Sequence, residues 1–139
     1  MSEPGAPRTT DKVVGDLLDT ASAAAEIVAR GHDAWDNDRL LKLAGEAVIN
    51  RIGDATSKLP DDVRAAMPGV PWDDIRANRV LVAHIYHRID YEILWATLAT
   101  DVPRLTAELE HWRSMEMELG RRSEQGRTVE RDTGLDIGF

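Results

Sequence analysis

Four stretches of this chain repeat apolar residues at the spacing of an amphipathic helix, and no stretch alternates as a strand would. From Asp11 the pattern runs through Val13 or Val14, Leu17, Leu18, Ala21, Ala24 or Ala25, and Val28. Thr10 or Asp11 can cap this helix, and Gly31 can end it. After a loop at "HDAWDND", Asp36 or Asn37 caps a second helix through Leu40, Leu43, Ala44, Ala47, Val48, Ile52 and Ala55. "KLPDDVRAAMPGVPW" holds three prolines and reads as a long connection with room for one helical turn. A third helix starts near Trp72, after Pro71, and runs to about Thr100. Thr100 or Asp101 caps a fourth, with Pro103 in its first turn, a stripe of Leu105, Leu109, Trp112, Met115 and Leu119, and a stop at Gly120. Mostly short loops between four helices predict an all-α, up-and-down four-helix bundle. It spans residues 11–120, between a disordered tail at 1–10 and a polar, flexible tail at 121–139.

The 139 residues suffice for one domain with a core. Without cysteine there is no disulfide and no thiolate metal site, which fits a reducing compartment. No apolar run approaches the ~20 residues of a membrane span, and Met1 to Asp11 lacks the apolar core of a signal peptide. The expectation is a soluble, cytoplasmic protein with no membrane partner. A net charge of −8 argues against indiscriminate nucleic-acid binding but leaves room for a small basic cleft.

Such a cleft is offered by "NRVLVAHIYHRID", residues 78–90, which places two arginines, two histidines and a tyrosine among aliphatics. At ~100° per residue, Ile75, Val82, Ile85, Ile89 and Ile93 share one face of the third helix as a core stripe. Val80, His84, His87, Tyr91, Leu94, Trp95 and Leu98 make the opposite side largely apolar too. A helix apolar on two sides is either central in its fold or covered by a second molecule, so a homodimer through the third helix is expected. Arg79 and His84, roughly 140° apart on one helix, converge more easily across a two-fold axis, where each patch meets its own copy.

Histidine exchanges a proton near neutral pH, and arginine grips phosphate oxygens with a planar fork. Together they suit RNA cleavage by 2′-OH attack, with neither metal nor cofactor. Taken alone, an Arg and a His five apart are a common accident, and a lone helix histidine is usually structural. His84 and His87, three apart, could instead bind a metal. A di-iron site is disfavoured, because Glu108 and His111 form a single Glu-x-x-His. Glu46, between Gly45 and Ala47, has the bland reading of a partly exposed glutamate beside a close helix contact.

The run from Gly45 to Leu105 resembles the HepT-like toxins, a branch of the HEPN ribonucleases, and the resemblance spans about Leu17 to Leu119. It rests on Gly45-Glu46-Ala47, Pro71-Trp72, the signature Arg79, His84 and Tyr86, then Asp90, Trp95 and "DVPRL". It implies an all-α domain that dimerises, with paired Arg79 and His84 forming a metal-independent endoribonuclease site. It also implies a toxin–antitoxin module in which a minimal nucleotidyltransferase (MNT) antitoxin adds AMP to the motif tyrosine, here Tyr86. Arg76 and Arg88 are further candidates for RNA-backbone contacts. The family usually carries a polar residue, most often Asn, directly after the motif Arg; here that position is Val80. The alternative reading is therefore a non-catalytic HEPN subunit that binds RNA or nucleotide and partners a nucleotidyltransferase.

Overall fold

A computed structural model describes residues 6–84 and 89–137, with side chains for residues 9–79 and 89–125. The described residues are all-α: seven α-helices and one π-helical turn, with no strand. Helix α1 spans Ala6–Ala29, α2 His32–Asn37, α3 Arg39–Ser57, α4 Asp61–Ala65, α5 Trp72–His84, α6 Tyr91–Ala96 and α7 Val102–Ile137. The π turn, Thr97–Asp101, joins α6 to α7 without a break. Helix α1 packs against α3 and α7, and α3 packs against α5.

The helical period is realised in the core, but not on every expected residue: α3 buries Leu41 and Ile49 and exposes Leu40 and Leu43, and the stripe expected through Met115 and Leu119 leaves both of those exposed. Val14, Leu17, Ala21 and Ala24 of α1 are buried, as are Leu41, Val48, Ile49 and Ile52 of α3. Leu94, Leu98, Val102, Leu105 and Leu109 form one buried stripe that runs through the π turn. Each fully buried leucine adds roughly 1.5–3 kcal/mol of transfer free energy, so this stripe fastens α6 and α7 to the domain.

Several boundaries differ from those expected. Helix α1 begins at Ala6, so Thr10 lies inside it and is buried rather than capping it. "HDAWDND" is not a loop: Gly31, at φ +90°, turns the chain into α2, and the whole indole of Trp35 is buried. The cap of α3 is Asp38, which accepts from the Leu40 and Leu41 amides at 2.9 and 3.4 Å. Asp36, Asn37 and Asp38 are all competent caps; burying Trp35 uses the first two inside α2. Helix α7 continues through Gly120 to Ile137. One glycine costs a helix about 1 kcal/mol, and Glu118 pairs with Arg121 and Arg122 across that turn.

The largest correction concerns the third helix. It is not continuous from Trp72 to Thr100: α5 reaches His84, and α6 restarts behind Asp90, which accepts from the Glu92 and Ile93 amides at 2.9 and 3.3 Å. The restart resets the helical phase. Ile93, expected in the core stripe, is 52% exposed, whereas Leu94 and Leu98, expected on a second face, are 2% and 1% exposed. Those two leucines are covered by the chain itself and supply no argument for a second molecule. Neither Thr100 nor Asp101 caps a new helix, because the Val102 amide bonds back to Thr97. The wider π turn carries the chain past Pro103, which has no amide to give a regular helix.

Candidate active site

Arg79 lies on α5 where that helix crosses α3, and its side chain is 36% exposed. The stem rests on Gly53. A Cβ built on Gly53 would come within 2.6 Å of both Cγ and Cδ of Arg79, and closer still to its Cβ. At the head, Nη2 stands 3.7 Å from Asp54 Oδ1, and the other oxygen of Asp54 is 3.3 Å from Lys58 Nζ. Arg79 Nε is buried and has no hydrogen-bond partner among the described residues. A buried donor left unpaired typically costs about 1–3 kcal/mol.

One residue before Arg79, Asn78 faces the core. Its Nδ2 donates to Thr97 Oγ1 at 2.9 Å and to the Asp74 carbonyl at 3.0 Å. These bonds fix the rotation of α5 against the π turn, and so the direction in which Arg79 leaves the helix. Arg76, one turn earlier, is exposed. His84 is the last described residue of α5, about 7.5 Å of helical rise beyond Arg79. The side chains of His84 and Val80, and all of Tyr86, His87 and Arg88, lie outside the described residues. The proposed His84/His87 metal pair falls there too.

The chain that follows is clasped to α2 and α3. Trp35 Nε1 donates to the Tyr91 carbonyl at 3.0 Å, and Tyr91 Oη donates to Glu46 Oε2 at 2.6 Å. That bond, with burial, raises the tyrosine pKa. Glu46 is thus a clasp residue, and the close contact at Gly45 is with Trp35: a Cβ there would meet Cη2 at 2.5 Å. His32 Nε2 lies 2.8 Å from both carboxylate oxygens of Glu92. This bond raises the imidazole pKa. His32, Asp36 and Glu92 each offer a ligand atom within 4.8 Å of the others, so this surface trio has the donor chemistry for a divalent cation. Two clefts of about 960 and 710 Å³ border α1 and α7; neither is lined by Arg76 or Arg79.

The model of the family described as "Ribonuclease HepT-like" matches residues 17–112. The chain belongs to the HepT-like ribonuclease family. Among curated relatives, a Methanocaldococcus jannaschii protein named "Putative RNase" is 29% identical over 96 residues, covering 68% of this chain and 88% of that one. A Thermococcus cleftensis protein named "Probable ribonuclease HepT" is 29% identical over 76 residues, or 55% of this chain and 69% of that one. A Caldanaerobacter subterraneus protein named "Putative RNase" is 31% identical over 72 residues, or 52% of this chain and 64% of that one. No solved structure matches. The match of the HepT-like model brackets Arg79, His84 and Tyr86, as well as the α3 residues beneath Arg79.

Sequence reasoning overlooked Gly53 and Asp54. The signal was present: Gly53-Asp54-Ala55 repeats the glycine–acid–alanine order of Gly45-Glu46-Ala47 eight residues later in the same helix. Nothing in a single sequence says which glycine lies under an arginine and which under a tryptophan.

Proposed function

We propose that this HepT-like chain is a metal-independent endoribonuclease and the toxin of a HEPN/MNT toxin–antitoxin module. The carrying observation is Arg79 itself, set at the family's spacing from His84, with a buried Nε that has no acceptor among the described residues. In this reading Arg79 grips the scissile phosphate. One imidazole takes the proton from the ribose 2′-OH, whose oxygen attacks phosphorus. The bond to the 5′ oxygen breaks, that oxygen is protonated, and a 2′,3′-cyclic phosphate remains. Arginine's fixed charge stabilises the crowded phosphorane. A homodimer would bring two copies of Arg79 and His84 to one seam and supply separate imidazoles as base and acid. Arg76 and Arg88 would add contacts to the RNA backbone.

Tyr86 is the proposed switch. An MNT-type antitoxin would transfer AMP from ATP to the phenolic oxygen and release pyrophosphate. The added phosphodiester anion would then compete with RNA for Arg79. Val80 favours a second reading, a non-catalytic HEPN subunit that keeps the partner interface and binds RNA or nucleotide. Labelled RNA incubated with the purified chain, with and without EDTA, separates the two. Cleavage that survives chelation and leaves a cyclic phosphate supports the nuclease. RNA retained but uncut supports the binding subunit, and cleavage lost on chelation overturns the metal-free mechanism.

A further inference from the structure

Helix α3 carries two buried glycines at close contacts, Gly45 and Gly53. A glycine inside a helix is unfavourable relative to alanine, and it is tolerated where something must approach the backbone. At Gly45 the visitor is Trp35, a fully buried core residue. At Gly53 the visitor is the stem of Arg79, a charged side chain one-third exposed to solvent. Its Cβ, Cγ and Cδ all lie against the glycine. Because Cβ is among them, the arginine could not escape an added methyl by rotating its tip alone.

The head of the same side chain meets Asp54, the next residue of α3. The separation of 3.7 Å is too long for a direct hydrogen bond but short enough to bias the orientation of the cation. Asp54 is itself tethered, through its second oxygen, to Lys58 one turn later. A carboxylate gripping the guanidinium at both nitrogens would occupy the edge that a phosphate needs. Asp54 stands off at Nη2, and the buried Nε has no acceptor among the described residues.

From this we infer that Gly53 and Asp54 are positioning residues for Arg79: Gly53 seats its stem, and Asp54 orients its guanidinium without a direct hydrogen bond to it. The site is then built from two helices, with α3 setting the aim of the arginine carried by α5. This inference rests on the ribonuclease reading for its catalytic consequence, but the seat itself can be observed without catalysis.

The first arm is therefore spectroscopic. In protein labelled with ¹⁵N-arginine, the Nε–H signal of Arg79, assigned by its loss in Arg79→Lys, is expected to be protected from solvent exchange. It should shift in Asp54→Asn and lose protection in Gly53→Ala. Asp54 is half-exposed, so Asp54→Asn leaves the core intact. The second arm is kinetic. Asp54→Asn should lower kcat about tenfold while KM for RNA stays level or falls, since a negative charge near the phosphate site has gone. Asp54→Glu, which keeps the charge, should recover part of kcat. A merely structural role would change thermal stability without that split. An Arg79 signal unchanged in both variants overturns the inference, as does wild-type kcat in both. If wild-type protein cuts no RNA while the signal responds as described, the seat stands and the ribonuclease reading fails.

Discussion

Arg79 and Asn78 are neighbours in sequence with opposite environments, and the contrast shows how single side chains are used here. Asn78 is buried and satisfied by Thr97 and by the carbonyl one turn back. Arg79 is partly exposed, and its buried Nε has no partner among the described residues. A buried amide with two bonds stabilises one rotation of the helix, and an unpaired guanidinium donor does not stabilise the fold at all. If His84 is the acid or base proposed, His84→Ala should cut cleavage about a hundredfold or more while the helical circular dichroism signal is retained. Val80→Asn, which restores the family's usual polar residue, should raise activity; unchanged cleavage would show that position to be dispensable. Tyr86→Phe keeps the ring body but removes the nucleophilic oxygen. Co-expression with an MNT partner should add the mass of one or more AMP units to the wild type and none to the variant. A wild type neutralised without added mass would mean inhibition by binding alone.

Helix α6 is six residues long and runs on through the π turn into α7, so its free end is the N-terminal one. Its N-terminus depends on the Asp90 cap and on the clasp from Trp35, Glu46 and His32. Asp90→Ala should therefore cost about 1 kcal/mol, measured by urea unfolding. The His32–Glu92 contact makes a pH-dependent contribution whose sign follows from the raised imidazole pKa. The folded state binds the proton more tightly than the unfolded one, so the contribution is complete below the unfolded value of about 6.5. It is lost as pH rises through the folded value. Wild type should exceed His32→Gln in stability near about pH 5.5, and the two should converge by about pH 8.5. A constant difference across that range would show that the histidine acts by packing against Trp95, whose ring it meets edge-on at 5.4 Å.

At the scale of the whole molecule, the protomer closes its own core across the π turn. Leu94 and Leu98 belong to that core, so Leu98→Ala should destabilise the folded chain by about 2–5 kcal/mol, and glutamate there should unfold it rather than dissociate it. The proposed homodimer needs another test: sedimentation of the wild type should give twice the 15.4 kDa chain mass. Among the described residues, the large apolar side chains open to solvent are Leu40, Leu43 and Ile93, which are 72%, 44% and 52% exposed, and Met115, Met117 and Leu119 of α7. None of the described helices is long and apolar enough to cross a membrane.

Helix-forming periodicity is local, so sequence alone was enough for the all-α class, for most of the residues that α1 buries, and for the placement of Arg79 and His84 on one helix; it misplaced the buried face of α3, where Leu41 and Ile49 are buried and Leu40 and Leu43 are exposed. Local chemistry was insufficient wherever several residues could do the same job. Asp36, Asn37 and Asp38 can each cap a helix, and the burial of Trp35 selected the last. Asp90 lies within an unbroken apolar period, so it reads as a flanking charge. It becomes a cap only because Trp35 and Glu46, some 45–56 residues away, bind Tyr91 beside it. Gly120 looks like a stop, yet no tertiary contact turns the chain there, and the helix runs on. Likewise two glycines of α3 are equivalent on paper. Only the packing of α3 against α5 put one of them beneath Arg79, because a close approach between helices is a property of two surfaces and is encoded in neither alone.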